Sequence, residues 1–379
     1  MRNIVHRKEK FQPIPYRPGN VWPNPPASER SRRIGTLKGV QMLRGISALF
    51  IVYAYAVQNY FPEIEFGKFS ADIFFVISGF AISLSVSNSG KSFLLKRIIR
   101  LMPLYWLAVF ATVSLYTFYP KDFHNATVSL PDILRTMFFV PFTDGAKEAM
   151  LPQGWTLPFE VLFYLTVAGS LLLIRNHKRA IYAAIPLLII IPFALNYLDI
   201  PQHLKEEYSR WPFFLEFIYG IIAWRIYSSV YKRRKLKYGP FIFASLIAII
   251  LLSYALFILS EKRISQVPFD IHISWGLLSF ILLMSMLLLE EKIKKHPLSI
   301  KPLIKIGMAG YSVCLLHPFV IFFLQKEAYP KLIGEIESPT IKIIELIVAY
   351  MLAIICSLLI HVCLDKQIQK KLRNIFISD

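Results

Sequence analysis

Apolar residues fall along this chain in long, nearly unbroken runs separated by short charged connections. That is neither the period-two alternation of a half-buried strand nor the single stripe of a surface helix. Crossing a hydrocarbon core takes about 20 apolar residues at roughly 1.5 Å of rise each. Ten runs come close to or exceed that length, at 39–61, 68–86, 98–118, 154–175, 179–197, 212–229, 239–260, 271–290, 302–325 and 341–364. The pattern predicts an all-α, polytopic integral membrane protein of about ten transmembrane helices.

Charge gives the runs a direction. Lys and Arg gather in every second connection: Arg30, Arg32, Arg33 and Lys38; Lys91 to Arg100; Arg175 to Arg179; Lys232 to Lys237; Lys292 to Lys301; and Lys370, Lys371 and Arg373. The alternate connections are acidic or balanced, as with Glu63 and Glu65, Glu206 and Glu207, and Glu335 and Glu337. Basic connections stay in the cytoplasm, so both termini are expected there. The chain divides into a basic, Pro-rich disordered arm (1–38), a membrane domain (39–364) and a basic tail (365–379). Six prolines between Phe11 and Pro26 leave the arm little with which to build a core. Its first apolar run begins too late for a secretory signal. The longest outer connection, 119–153, holds a semi-apolar stretch from Ile133 to Phe142, expected to dip into the interface or line a cavity.

Composition narrows the class. Of 379 residues 55% are hydrophobic and 18% charged, yet the net charge is +19. With mean hydropathy at +0.49, this is too apolar for a soluble domain. The excess positive charge suits anionic lipid headgroups, and no recognition motif points to nucleic acid. Cys314, Cys356 and Cys363 lie in apolar runs without paired or ligand spacing, so they are expected to be small core residues and no metal is predicted.

Ionisable groups inside apolar runs need a reason, because a charge at mid-bilayer costs about 2.5 to 3.5 kcal/mol. Helical rise puts Arg44 roughly 8 Å above the cytoplasmic edge, with Arg97 and Arg100 at that edge. Either they anchor the interface by snorkelling, or they form a site for a phosphorylated ligand, which guanidinium forks grip in bidentate fashion. The same count puts Asp72, Glu160 and His317 in one layer near the outer edge. A carboxylate beside an imidazole is the usual general-base arrangement; helix capping and a structural histidine are the alternatives. Glu216, Glu345 and His361 sit near helix ends whose dipoles they complement, and His124 is expected in a solvated outer loop.

These residues resemble the membrane-bound acyltransferase 3 family, bacterial proteins of about ten spans that O-acylate surface polysaccharides. The likeness runs through Leu43-Arg44-Gly45-Ile46, the stretch Asp72 to Phe80 (DIFFVISGF), and Arg97-Ile98-Ile99-Arg100 with Pro103, Tyr105 and Trp106. It continues through Gly154-Trp155-Thr156-Leu157 with Glu160, Phe163 and Tyr164, then Gly310-Tyr311-Ser312 with Leu316-His317-Pro318. The family's essential histidine, eleven residues after the first-span arginine, is Tyr55 in this chain. A phenol of reference pKa about 10 is a poor base at neutral pH, so the base is expected elsewhere, or turnover is low.

The resemblance implies an inner-membrane O-acyltransferase moving an acyl group, acetyl first, from cytoplasmic acyl-CoA to a glycan or lipid-linked sugar. It implies Arg44, Arg97, Arg100, Tyr105, Trp106 and Ser78 on the donor side, and Trp155 and Tyr311 on the acceptor side. Tyr55, Glu160, His317 and Asp72 fall at the chemistry. Ser78-Gly79 and Tyr311-Ser312 also have the small side chains that let membrane helices pack closely. The rival reading is a non-catalytic or transport protein for a lipid-linked glycan, which often shows broken helices in matching repeats; no internal repeat is evident in the sequence.

Overall fold

The computed structural model describes residues 37–61, 70–89, 92–123, 129–139, 151–197, 212–231, 269–295, 297–332 and 338–377. The expected seventh span, the arm before Leu37 and His124 lie outside them. Among the described residues all regular structure is helical. In chain order the helices are α1 (Lys38–Tyr60), α2 (Ser70–Ser89), α3 (Phe93–Phe118), α4 (Leu130–Met137), α5 (Leu157–Leu173), α6 (His177–Tyr197) and α7 (Pro212–Ile226). There follow α8 (Phe269–Lys295), α9 (Pro297–Met308), α10 (Gly310–Phe323), α11 (Tyr329–Leu332), α12 (Pro339–Ile360) and α13 (Lys366–Phe376).

Helix α1 is the hub, packing on α2, α8, α9, α10 and α12. Its first turn has no side-chain cap of its own. Buried Glu290, near the end of α8, supplies one instead, accepting hydrogen bonds from the backbone N–H groups of Lys38 (3.0 Å) and Gly39 (2.8 Å). A carboxylate on those orphan donors also meets the positive end of the helix dipole.

Two glycine pairs set the helix spacing. A methyl group added at Gly45 would run into the Leu303 carbonyl, and one at Gly307 into the Gln41 carbonyl, so α1 and α9 pack backbone to backbone. Gly79 and Gly220 do the same for α2 and α7, against the Phe217 and Val76 carbonyls. With lipid on the outside there is little hydrophobic drive between helices, and close backbone contact is what remains to hold them. Around the second pair lies an aromatic cluster in which Phe163 stacks on Phe217 at 4.4 Å and Phe75 meets Trp155, Phe159 and Phe213.

Among the described residues three helices are long and apolar enough to cross a membrane, or four if one bent pair counts as a single span. The apolar helices 71–87, 157–173 and 275–290 are shorter. Helix α12 shows its solvent most plainly: Ile344, Ile347, Met351 and Leu359 are all more than half exposed, as befits side chains meant for lipid.

The expected ninth span, 302–325, is not one straight helix. α9 and α10 meet at an angle of 81°. The turn is at Ala309, whose φ of −88° and ψ of 3° leave the helical region, between Gly307 on the α1 backbone and Gly310 beside Phe74. Of the semi-apolar stretch expected at 133–142, residues 133–137 belong to α4, opened by a capping box in which Ser129 and Asp132 satisfy each other's backbone N–H, and residues 140–142 lie outside the described residues. The tail expected after 365 continues α12 through a π-helical turn, His361–Asp365, into α13.

Replacing Gly79 by Ala is expected to destabilise the protein in detergent by about 1–3 kcal/mol, the usual cost of overpacking. Gly169→Ala, where a methyl group meets nothing within 4 Å, is expected to leave the unfolding midpoint unchanged or slightly raised.

Candidate active site

A cavity of about 410 Å³ runs between α1, α2, α3, α5 and α10. From Arg44 to Tyr55 on α1, both in its wall, it extends eleven residues, roughly 16 Å of helical rise. Segment Leu151–Thr156 closes one side: Leu151 is buried, the Gln153 amide donates to the Leu315 carbonyl at 3.3 Å, and Gln153, Trp155 and Thr156 line the space.

One part of the cavity is strongly cationic. Arg44, Arg97 and Arg100 line it within electrostatic range of one another and of Glu160, the sole acidic residue in the described lining. Three guanidiniums against one carboxylate leave an excess of positive charge inside a largely apolar bundle, the composition of an anion site. Glu160 is held in place by its own partners: its Oε1 accepts from the Ser78 hydroxyl at 3.0 Å and from the Tyr164 hydroxyl. The Arg97 guanidinium lies over the Tyr164 ring, 5.9 Å from its centre, a cation–π contact that steers the charge into the cavity.

The other part carries His317. Its Nδ1 is 3.0 Å from the Val313 carbonyl, which can only accept, so Nδ1 bears the hydrogen and Nε2 the lone pair. Nε2 is buried and makes no hydrogen bond among the described residues. The imidazole meets the Tyr55 ring edge to face, with centres 5.0 Å apart and planes at 87°. A neutral imidazole with a fixed tautomer and an unused lone pair is a ready proton acceptor.

The layer expected from helical rise does not form as counted. Asp72 is buried outside the cavity lining, beside Glu216 of α7. Glu160 stands with the arginines instead of His317. Helix α5 does not start at a membrane edge, because the segment before it, from buried Leu151 to cavity-lining Thr156, already lies inside the bundle. Tyr105 and Trp106 are also absent from the lining. The Tyr105 hydroxyl donates to the Thr136 carbonyl at 3.0 Å and the Trp106 indole N–H to the Met137 carbonyl at 3.2 Å, so both hold helix α4. Phe139, with φ at 60°, stacks on Tyr105 at 4.5 Å and completes that anchor.

Tyr55, Ser78, Trp155 and Tyr311 do line the cavity, and the Tyr311 hydroxyl donates to the Leu101 carbonyl at 2.9 Å. Gln58 and Gln153, which the sequence did not mark, line it too, as do Thr156 of the Gly154–Leu157 motif and Cys314, expected only as a core residue. For Cys314 a signal existed, since it lies three positions before His317 and such i, i+3 neighbours share a helix face. Cys356 is half-buried, but Cys363 is exposed, against the expectation of a core residue.

A helical bundle with apolar, membrane-length helices encloses a cavity lined by three arginines, one glutamate and a histidine. Residues 37–362 match the acyltransferase 3 family model, described as an acyltransferase domain, and the chain belongs to that family. It is therefore an acyltransferase. It is similar to the exopolysaccharide production protein ExoZ of Rhizobium meliloti (strain 1021), 33% identical over 268 residues, covering 69% of this chain and 78% of that protein. No solved structure matches the chain.

Glu160→Ala leaves the Ser78 and Tyr164 hydroxyls without their acceptor and three half-buried guanidiniums without a counter-charge, and is expected to destabilise the protein by about 1–3 kcal/mol in detergent unfolding. Glu160→Gln keeps an acceptor for Ser78 and Tyr164 and is expected to lose less.

Proposed function

We propose that the protein is an O-acyltransferase of the bacterial inner membrane, carrying an acyl group, acetyl first, from acyl-CoA to a hydroxyl of a surface polysaccharide or lipid-linked glycan. The observation that carries this reading is a single cavity with an excess of guanidinium charge in one part and an unused imidazole lone pair in another. The name of the relative, a protein of exopolysaccharide production, supports the class of acceptor.

The residues suit the donor. Arg44, Arg97 and Arg100 offer forked donors to phosphate, while the apolar wall of Ile51, Ala54, Phe74 and Phe75 suits a pantetheine arm. At about 410 Å³ the cavity is of ordinary ligand size and takes the arm and its thioester, leaving the nucleotide towards the cytoplasmic mouth.

In the transfer step the acceptor hydroxyl gives its proton to His317 Nε2 as its oxygen attacks the thioester carbonyl. A new O–C bond forms, the C–S bond breaks, and the departing thiolate takes the proton back from the imidazolium. The carbonyl of Val313 holds the ring in the tautomer that this needs throughout. Tyr55 stands where the family's histidine would be and packs against the ring that replaces it.

The test is thioester consumption and acyl transfer by purified protein. His317→Ala is expected to lower kcat by about 100- to 10,000-fold, the usual worth of a general base. Tyr55→Phe is expected to turn over nearly as the unaltered chain, and Tyr55→His to turn over faster by restoring a second imidazole. Undiminished transfer by His317→Ala removes that residue from the chemistry. A folded, donor-binding Tyr55→His that acylates no glycan removes position 55 from it.

A further inference from the structure

The family match stops at residue 362, yet the chain continues into a helix that reaches back to the cavity. Asp365 is buried where the π-helical turn ends, and three neighbours donate to it. The Ser312 hydroxyl reaches its Oδ2 at 3.0 Å, His361 Nδ1 the same oxygen at 2.9 Å, and the Gln369 amide its Oδ1 at 2.8 Å. This is not a nucleophile triad, because Ser312 and Asp365 meet the same ring nitrogen of His361 instead of opposite ones.

What the cluster does is tie α13 to the cavity wall. Gln369 also donates, at 3.5 Å, to the Arg100 carbonyl, one residue before the Leu101 carbonyl that Tyr311 holds. The turn of α3 that carries Arg100 is thus gripped from two sides. Pro103, which cannot donate to the Ile99 carbonyl, loosens the helix at this point and makes an outside grip useful. Asp365, Gln369 and Arg373 recur every fourth residue, so they lie on one stripe of the helix. Exposed Arg373, at the end of that stripe, lies within electrostatic range of Arg100.

We propose that α13 is part of the donor site: Arg373 is its outermost phosphate-binding cation, and Asp365 and Gln369 are positioning residues that hold Arg100 and Arg373 in line. This rests on the acyl-CoA reading above. It deepens that reading by assigning the 3′-phosphate of CoA, the group farthest from the thioester, to the cation farthest from His317 along the chain of arginines.

The experiment compares binding of CoA and of dephospho-CoA, which lacks that phosphate, to the purified full chain. Arg373→Ala is expected to weaken CoA about tenfold, the worth of a charge-assisted hydrogen bond, and to leave dephospho-CoA unchanged. Lys371→Ala removes the same charge roughly 200° around the helix and is expected to bind both like the unaltered chain. Gln369→Ala is expected to raise the donor KM while leaving kcat in place, a split that general unfolding would not give. If the unaltered chain binds CoA but Arg373→Ala binds it equally well, or Lys371→Ala loses as much, this inference falls alone. If the unaltered chain binds no CoA, the donor reading falls and takes this inference with it.

Discussion

Everything at the centre of this molecule depends on keeping three guanidiniums inside an apolar bundle with one carboxylate to balance them. Arg44, Arg97 and Arg100 come from two helices, and Glu160 from a third. A charge at that depth is tolerated only where protein supplies partners. Glu160 is committed from both sides by Ser78 and Tyr164, which keeps it from swinging out to neutralise an arginine completely. The result is a fixed, partly compensated positive field within the bundle.

The helix packing serves that field. Gly45 and Gly307 let α1 and α9 touch backbone to backbone, next door to Arg44, and the Glu290 carboxylate fixes the start of α1 six residues earlier. The 81° break between α9 and α10 then turns the chain so that Tyr311, Cys314 and His317 line the cavity that α9 stops short of. A straight helix through residues 302–325 would put at most one face of a single cylinder towards α1. The break lets one half pack on α1 and the other form the cavity wall.

Other polar groups of the same sequence motifs lie outside the cavity lining. Asp72 opens the most recognisable motif in the chain, yet it is buried beside Glu216, in the first turn of α2. Tyr105 and Trp106 on α3 hold the C-terminal end of α4 through the Thr136 and Met137 carbonyls and do not line the cavity. Membership of a motif therefore identifies residues under constraint without saying whether packing or chemistry imposes it.

The sequence alone determined the class of solvent and the kind of secondary structure, because apolar runs of membrane-crossing length leave the backbone no partner but itself. It also marked Arg44, Arg97, Arg100, Glu160 and His317, since ionisable side chains in such runs stand out by their cost alone. What it left open was who meets whom. Rise along a helix is a local quantity, and it placed Glu160 with His317; the lateral neighbours come from where each helix begins, how it tilts and where it bends. Only the folded chain put Glu160 among the arginines, moved Asp72 to Glu216 and brought the tail back to Arg100. Each of these contacts joins residues distant in sequence, and no periodicity records them.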